Sequence, residues 1–309
     1  MVGKNNPTYI ILEIARTYNN DLSIAKEMIE FAGNLGVDAI KIQSILSSEL
    51  MVSNDNTKDY VKYLDTLERT IEEHQKLSEI CNNNDIHFLS TPEGFTMTNL
   101  LEKVDVPAYK ISSLNLVYHE FLKYVARKNK PLILSTGMGE EFEIKKAVEI
   151  VKQINKNLIL MHCSSTYPTE PINANLNNIH MLKKYTDVVG YSDHTIGISA
   201  PISAVSLGAK VIEKHYTFDR NQEGADHNVG VDFNMLTEMV RGIRDVDNML
   251  GSHNRILCNE ESESRQFKRR KLILNNNMKK GDVISSENIV CLQSKSIEGI
   301  QSGRIDSVL

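Results

Sequence analysis

A chain of 309 residues is long enough for one domain of roughly 250 residues and a small appendage. With 24% charged and 41% hydrophobic residues and a net charge of −5, it has a soluble balance and no global positive field to recruit nucleic acid. No signal peptide or membrane span is legible, and Cys81, Cys163, Cys258 and Cys291 are too scattered for a disulfide framework or a cysteine zinc site, so a cytoplasmic globular protein is expected.

In chain order, short β-branched runs alternate with longer amphipathic stretches. The first strand is expected over Tyr9 to Ile14, and a helix opens at the N-cap Asp21 and runs through Leu22, Ala25, Met28, Ile29, Ala32 and Leu35. A strand from Ala39 to Gln43, a loose stretch to Thr57 and a polar helix around Lys58 to Asn82 follow. Further strands read His87–Ser90, Tyr109–Ser112, Leu132–Thr136, Leu158–Cys163, Val188–Ser192 and Lys210–His215, and a helix follows around Asn234–Leu250. Eight such units in about 250 residues predict a (β/α)8 barrel, with a doubly wound sheet as the runner-up. The latter would more often carry a Gly-rich dinucleotide turn after its first strand, which this chain lacks.

Polar groups cluster at the C-terminal strand ends, which form the catalytic face of such a barrel. They are Glu13; Lys41 and Gln43; Ser90 and Thr91; Lys110 and Ser112; Ser135 and Thr136; His162 and Ser164; Ser192, Asp193 and His194; and Glu213 and His215. Period-two geometry puts Lys41 with Gln43, Lys110 with Ser112, Ser192 with His194, and Glu213 with His215 on one side. One polar strand end is easily a satisfied core residue, but this many point to an active-site funnel, since an unpaired buried charge costs several kcal/mol. Lys41 and Lys110, read as standing on neighbouring strands, suit a small polyanion. His194 and His215 suit a divalent metal with open positions, and Glu213 suits a general base or a residue that orients a hydroxyl. A strand lysine as Schiff-base nucleophile remains the competing reading.

The local strings carry more. Lys130-Pro-Leu-Ile-Leu-Ser-Thr-Gly-Met138, Leu160-Met-His-Cys-Ser-Ser-Thr-Tyr-Pro168, Val189-Gly-Tyr-Ser-Asp-His-Thr-Ile-Gly197 and Gly208-Ala-Lys-Val-Ile-Glu-Lys-His-Tyr-Thr-Phe-Asp-Arg220 closely resemble barrel motifs of the N-acetylneuraminate (sialic acid) synthase family. So do Asp38-Ala-Ile-Lys-Ile-Gln43, Glu72-Glu-His-Gln75, Phe88-Leu-Ser-Thr-Pro92 and Gly224-Ala-Asp-His227. The resemblance implies condensation of phosphoenolpyruvate with N-acetylmannosamine or a related aldose and release of phosphate. It also implies a divalent metal, manganese before magnesium or cobalt, on His194 and His215. By position, Lys41, Gln43 and Thr91 match the surroundings of the phosphoenolpyruvate carboxylate. Lys110, Ser113, Ser135, Ser165 and Ser192 match those of its phosphate. Tyr167 and Asp226 match sugar contacts, and Glu13 and Glu213 the carboxylates near the reacting centre.

The tail, Phe267 to Leu274 and Met278 to Ile289, resembles the family's small antifreeze-like (SAF) domain, which implies a domain-swapped homodimer. The expected division is a barrel over 1–255, a linker over 256–267 and an antifreeze-like domain over 268–309 that stops early. The basic run Lys268 to Lys271 reads as a solvated edge rather than a nucleic-acid patch. The chain departs from the family pattern in four places. The first turn, Glu13 to Asn20, loses the family's Asn, His and Gly. Glu93 follows Thr-Pro where an apolar residue is usual. Ser113-Leu114-Asn115 replaces Ser-Gly-Glu or Ser-Gly-Asp. Gln293 to Ile300 lacks the tail arginine, with Lys295 as the nearest substitute. These changes fall largely on the sugar side, so an acceptor other than N-acetylmannosamine is expected, such as a 2,4-diacetamido hexose giving a legionaminic- or pseudaminic-like acid. A paralogue without synthase activity is the alternative.

Overall fold

The eight apolar runs form eight parallel strands: β1 (Tyr9–Glu13), β2 (Ala39–Ile45), β3 (His87–Glu93), β4 (Tyr109–Ile111), β5 (Leu132–Ser135), β6 (Leu158–Cys163), β7 (Val189–Asp193) and β8 (Val211–His215). They pair in chain order and β8 closes on β1, so the sheet is a barrel of the expected (β/α)8 class. The computed structural model describes residues 2–3, 6–252, 254–294 and 299–309. It divides into two compact units, Met1–Gly251 and Ser252–Leu309.

Period-two alternation splits each strand between two environments. Outward residues such as Ile10, Leu12, Ile40, Ile42, Phe88, Ile111, Leu134, Leu160, Val189 and Ile212 join the helices in one core. Inward, Ile11, Ala39, Leu89, Ile133, Met161 and Val211 fill the lower barrel. Gly190 belongs to that layer because a Cβ there would lie 2.6 Å from the Val211 carbonyl oxygen. One pleat further along, the inward positions turn polar: Glu13, Lys41, Thr91, Lys110, Ser135, Ser192 and Glu213. The apolar plug thus sets the floor of the cavity above it.

The same alternation corrects part of the expected funnel. Ser90, His162 and Asp193 face away from it: Ser90 bonds Ser44 at 2.6 Å, His162 bonds the Ala174 carbonyl at 2.7 Å, and Asp193 pairs with Lys214 at 2.6 Å. Lys214 is fully buried with Asp193, which also accepts bonds from Tyr191 and Thr195.

Helix boundaries follow their caps. Asp21 accepts from the Ser23 N–H and opens the helix Leu22–Asn34. The expected helix over 58–82 is two, Lys58–Asp65 and Ile71–Asn82, because Thr70 and Glu73 form a capping box that starts a new helix. Asp232 caps Phe233–Leu250, whose Asp247 and Arg244 bind Thr8 at the entrance to β1.

In the second unit the expected linker is partly a helix, Asn259–Lys268. It leads into β9 (Arg270–Leu274), paired antiparallel with β10 (Ile289–Gln293). The basic run is not uniformly solvated, since Lys271 is buried there. Lys295 lies outside the described residues.

Candidate active site

At the C-terminal ends of the strands an open cavity of about 420 Å³ is lined by Glu13, Lys41, Gln43, Thr91, Lys110, Ser113, Ser135, Ser165, Tyr167, Ser192, His194, Glu213, His215 and Asp226. All fourteen of the residues given a role towards metal, donor or sugar in the sequence therefore face one space. Its size falls in the ordinary range for small-molecule sites.

Four buried charges make up the floor. Lys41 donates from Nζ to Glu13 Oε2 and, at 3.1 Å, to Thr91 Oγ1, and lies 3.7 Å from Glu213. Lys110 sits 3.2 Å from Glu213. The two lysines stand on β2 and β4 with β3 between them, a correction to the expectation of neighbouring strands. They meet through Glu213 of β8, reaching across the barrel. Ser192 adds a hydrogen bond to Glu213 at 3.2 Å, and Ala15 N–H donates to Glu13 at 2.6 Å.

Burial works against the charged forms of Lys41, Glu13 and Glu213, and their partners work for them. For Lys41, burial is outweighed by Glu13 and Glu213, and its pKa rises. For Glu213, burial is outweighed by Lys110 and Lys41, and its pKa falls, leaving an ionised carboxylate. For Glu13 burial prevails over Lys41 and the pKa is raised.

Hydroxyls crowd beside Lys110. Ser113 Oγ accepts from the Gly137 N–H at 2.9 Å. A Cβ on Gly137 would lie 2.3 Å from Ser165 Oγ and 2.8 Å from Ser113 Oγ, so a glycine is what lets these serines converge. Ser135 Oγ is buried without a partner among the described residues. A cationic trough with spare hydroxyl donors fits an anion with several oxygens.

On the opposite side the His194 and His215 rings lie 5.4 Å apart, and Tyr167 stacks on His194 at 4.0 Å. His194 Nδ1 bonds the Ser164 carbonyl at 2.7 Å, which leaves Nε2 with the lone pair when the ring is neutral. Burial, then the positive charge of a protonated His194, holds His215 well below its usual pKa and therefore neutral. His215 Nδ1 and Asp226 Oδ2 are 3.6 Å apart, each buried and without a hydrogen bond. Among the described residues no group of three or more His, Cys, Asp or Glu side chains is placed to hold a metal ion. The donor set thus fits an ion held by two imidazoles, with water and substrate completing its shell, and does not fit a closed cage.

Ser112, expected in the funnel beside Lys110, also lines the cavity, as do Arg16, Glu93, Leu114, Met138 and Cys163, which were not among the expected site residues. Glu93 was legible: it lies two residues beyond Thr91, hence on the same side of β3, but the strand was expected to end at Ser90. Cys163 is likewise the inward residue after Met161. Arg16 stands on an irregular turn, beside the Tyr63 ring at 5.6 Å, and no periodicity points to it.

The NeuB family model matches residues 28–255. An uncharacterized protein of Methanocaldococcus jannaschii is 41% identical over 93% of this chain and 85% of its own length. The N,N'-diacetyllegionaminic acid synthase of Legionella pneumophila is 33% identical over 99% of this chain and 90% of its own. Among solved structures, the N-acetylneuraminic acid (sialic acid) synthetase of Leptospira borgpetersenii in complex with citrate is 34% identical, with a TM-score of 0.79 over 84% of this chain and 90% of that one.

Proposed function

The chain belongs to the NeuB family, and from the cavity its barrel builds we propose that it condenses phosphoenolpyruvate with an acetamido or diacetamido hexose, releasing phosphate and forming a nonulosonic acid. The observation that carries this is the buried trough in which Lys41 and Lys110 share Glu213 beside the unpartnered Ser135 hydroxyl, facing two imidazoles. In this reading Lys110, Ser113, Ser135, Ser165 and Ser192 hold the phosphate, while Lys41, Gln43 and Thr91 hold the carboxylate. Tyr167 and Asp226 face the sugar.

The enol carbon of the donor attacks the aldehyde carbon of the open-chain sugar. Water adds at the cationic carbon that results, and the carbon–oxygen bond to phosphate then breaks. Lys110 neutralises charge on the departing phosphate. Glu13 and Glu213, on either side of Lys41, are the carboxylates placed to give a proton to the former aldehyde oxygen and to take protons from the attacking water and from the hydroxyl that becomes the ketone as phosphate leaves. A divalent ion on His194 and His215, manganese before magnesium or cobalt, would supply Lewis-acid polarisation of the aldehyde when bound.

A Schiff-base route is less well supported, because Lys41 is charged and ion-paired and Lys110 is held by Glu213. The acceptor side favours a diacetamido sugar, in keeping with the changed first turn and with the legionaminic acid synthase among the relatives. The same reading places the enzyme in the cytoplasm, as a homodimer whose antifreeze-like tails reach over the partner's barrel. Among the described residues no helix is long and apolar enough to cross a membrane.

The test is phosphate release from phosphoenolpyruvate with manganese across a panel of acetamido and diacetamido hexoses, with mass spectrometry of the products. Release with one sugar, stopped by chelation, supports the synthase. Reductive trapping of a pyruvate–lysine adduct would sink it in favour of the lyase.

A further inference from the structure

Glu93 is a buried carboxylate at the end of β3, 6% exposed, lining the cavity between the two lysines. Its Oε2 accepts from Asn115 Nδ2 at 2.6 Å and from Ser112 Oγ at 3.2 Å. Two departures noted in the sequence, Glu93 and Asn115, therefore touch. Its Oε1 makes no hydrogen bond among the described residues, and the side chain faces the space beside Lys110. Of the glutamates that line the cavity, Glu13, Glu93 and Glu213, it alone forms no ion pair among the described residues.

The charged groups around it are few. Lys41 on β2 and Lys110 on β4 both favour its ionised form, though each is committed to Glu13 or Glu213. Glu49, on the short helix Ser47–Leu50, is turned to Thr96. Burial dominates, pushing Glu93 up to about 7, with the Ser112 and Asn115 hydrogen bonds and the two lysines pulling the other way. A phosphate seated against Lys110 and a carboxylate against Lys41 would occupy those cations and add negative charge beside Glu93. An ionised Glu93 then has no compensation left, whereas its acid form offers one more donor.

We propose that Glu93 is a donor-specificity residue: it is in its carboxylic-acid form when phosphoenolpyruvate is bound and gives a hydrogen bond to the phosphate, so that donor binding takes up a proton. The inference rests on the assignment of the Lys110 side of the cavity to phosphate. Linkage fixes the sign. Below pH 7 the acid is already formed and affinity does not depend on this group. Above it, affinity falls by roughly tenfold per pH unit, since each binding event must recruit a proton.

The experiment is calorimetric titration of phosphoenolpyruvate into the full chain at pH 8, in two buffers of unequal ionisation enthalpy, for the wild type and Glu93→Gln. The glutamine keeps an acceptor for Asn115 and a donor towards the cavity, imitating the acid without its proton. The wild type is expected to take up roughly 0.9 of a proton more than the variant, from a group titrating near 7. The variant is expected to bind the donor about tenfold more tightly than the wild type at that pH. Equal uptake by the two proteins overturns this inference while leaving the phosphate assignment standing. Absence of binding to the wild type overturns both. Should the glutamine variant fail to fold, the wild type alone decides: affinity independent of pH between 7 and 9 refutes the proposal.

Discussion

Replacing Lys110 with methionine separates what the floor of the cavity does for stability from what it does for phosphate. Lys110 is 3% exposed and lies 3.2 Å from Glu213. Removing one partner of a buried ion pair costs about 3–5 kcal/mol, because the other charge stays behind uncompensated. Glu213 keeps Lys41 at 3.7 Å and the Ser192 hydroxyl at 3.2 Å, so the lower end, about 3 kcal/mol, is expected. At roughly 2–4 °C per kcal/mol for a domain of this size, Lys110→Met should melt roughly 6–12 °C lower. Because the folded state depresses the Glu213 pKa, the stabilisation it brings exists above the unfolded carboxylate value, roughly 4.3, and fades as pH falls through the folded one. The deficit should therefore be largest near neutrality and shrink in acid.

Adding Glu213→Gln removes the stranded charge while its carboxamide still accepts from Ser192. The double variant should recover stability to within about 1 kcal/mol of the wild type. Activity should not follow. A charge-assisted hydrogen bond contributes about 1.5–3 kcal/mol, and phosphate would lose at least one, so kcat/KM for phosphoenolpyruvate should stay at least roughly tenfold down in both variants. Thermal melts across pH and initial rates of phosphate release check the two halves. A double variant as unstable as the single, or one that regains turnover on phosphoenolpyruvate, would refute the reasoning.

Three further outcomes are expected. His215→Ala should weaken manganese binding at least tenfold, as read by calorimetry without substrate, and unchanged binding would remove His215 from the metal assignment. Gly137→Ala puts a methyl group 2.3 Å from Ser165 Oγ, so KM for phosphoenolpyruvate should rise by about 10–100-fold while the melting temperature falls by only a few degrees, and a collapse of the fold would instead make Gly137 a structural residue. Lys214→Met should cost about 3–5 kcal/mol through the stranded Asp193, with Lys214→Met/Asp193→Asn recovering much of it; urea unfolding that shows no loss in the single variant would contradict the buried pair.

The barrel was legible because its strands and helices each obey one periodicity, and every strand begins within one residue of its expected start. The site was legible for a related reason: inward residues at strand ends have only the cavity to face, so Lys41, Thr91, Ser135 and Glu213 declare themselves by position. Boundaries carried less information. Thr91 to Glu93 continues β3 through a proline, which a reading by propensity takes as a stop, and Glu93 was missed as a site residue for that reason. The break between the helices Lys58–Asp65 and Ile71–Asn82 depends on Thr70 and Glu73 bonding each other, a pairing that a polar run of this composition conceals.

What composition could not decide is which of two adjacent charges looks inward. Glu213, Lys214 and His215 are consecutive and all buried, yet Glu213 and His215 line the cavity while Lys214 is locked to Asp193 behind the sheet. The register of β8 against β1, Ile11 with Glu213 and Glu13 with His215, settles it. A slip of one residue would exchange the two sets and bury His215 against the helices. The Lys214–Asp193 pair stands against that slip, because in the shifted register Lys214 would turn to the cavity and leave Asp193 buried without its cation, while Glu213 lost both lysines. The buried pair on the outer face and the ion cluster on the inner one are thus two sides of one constraint. The geometry of the candidate active site depends on a salt bridge that never touches it.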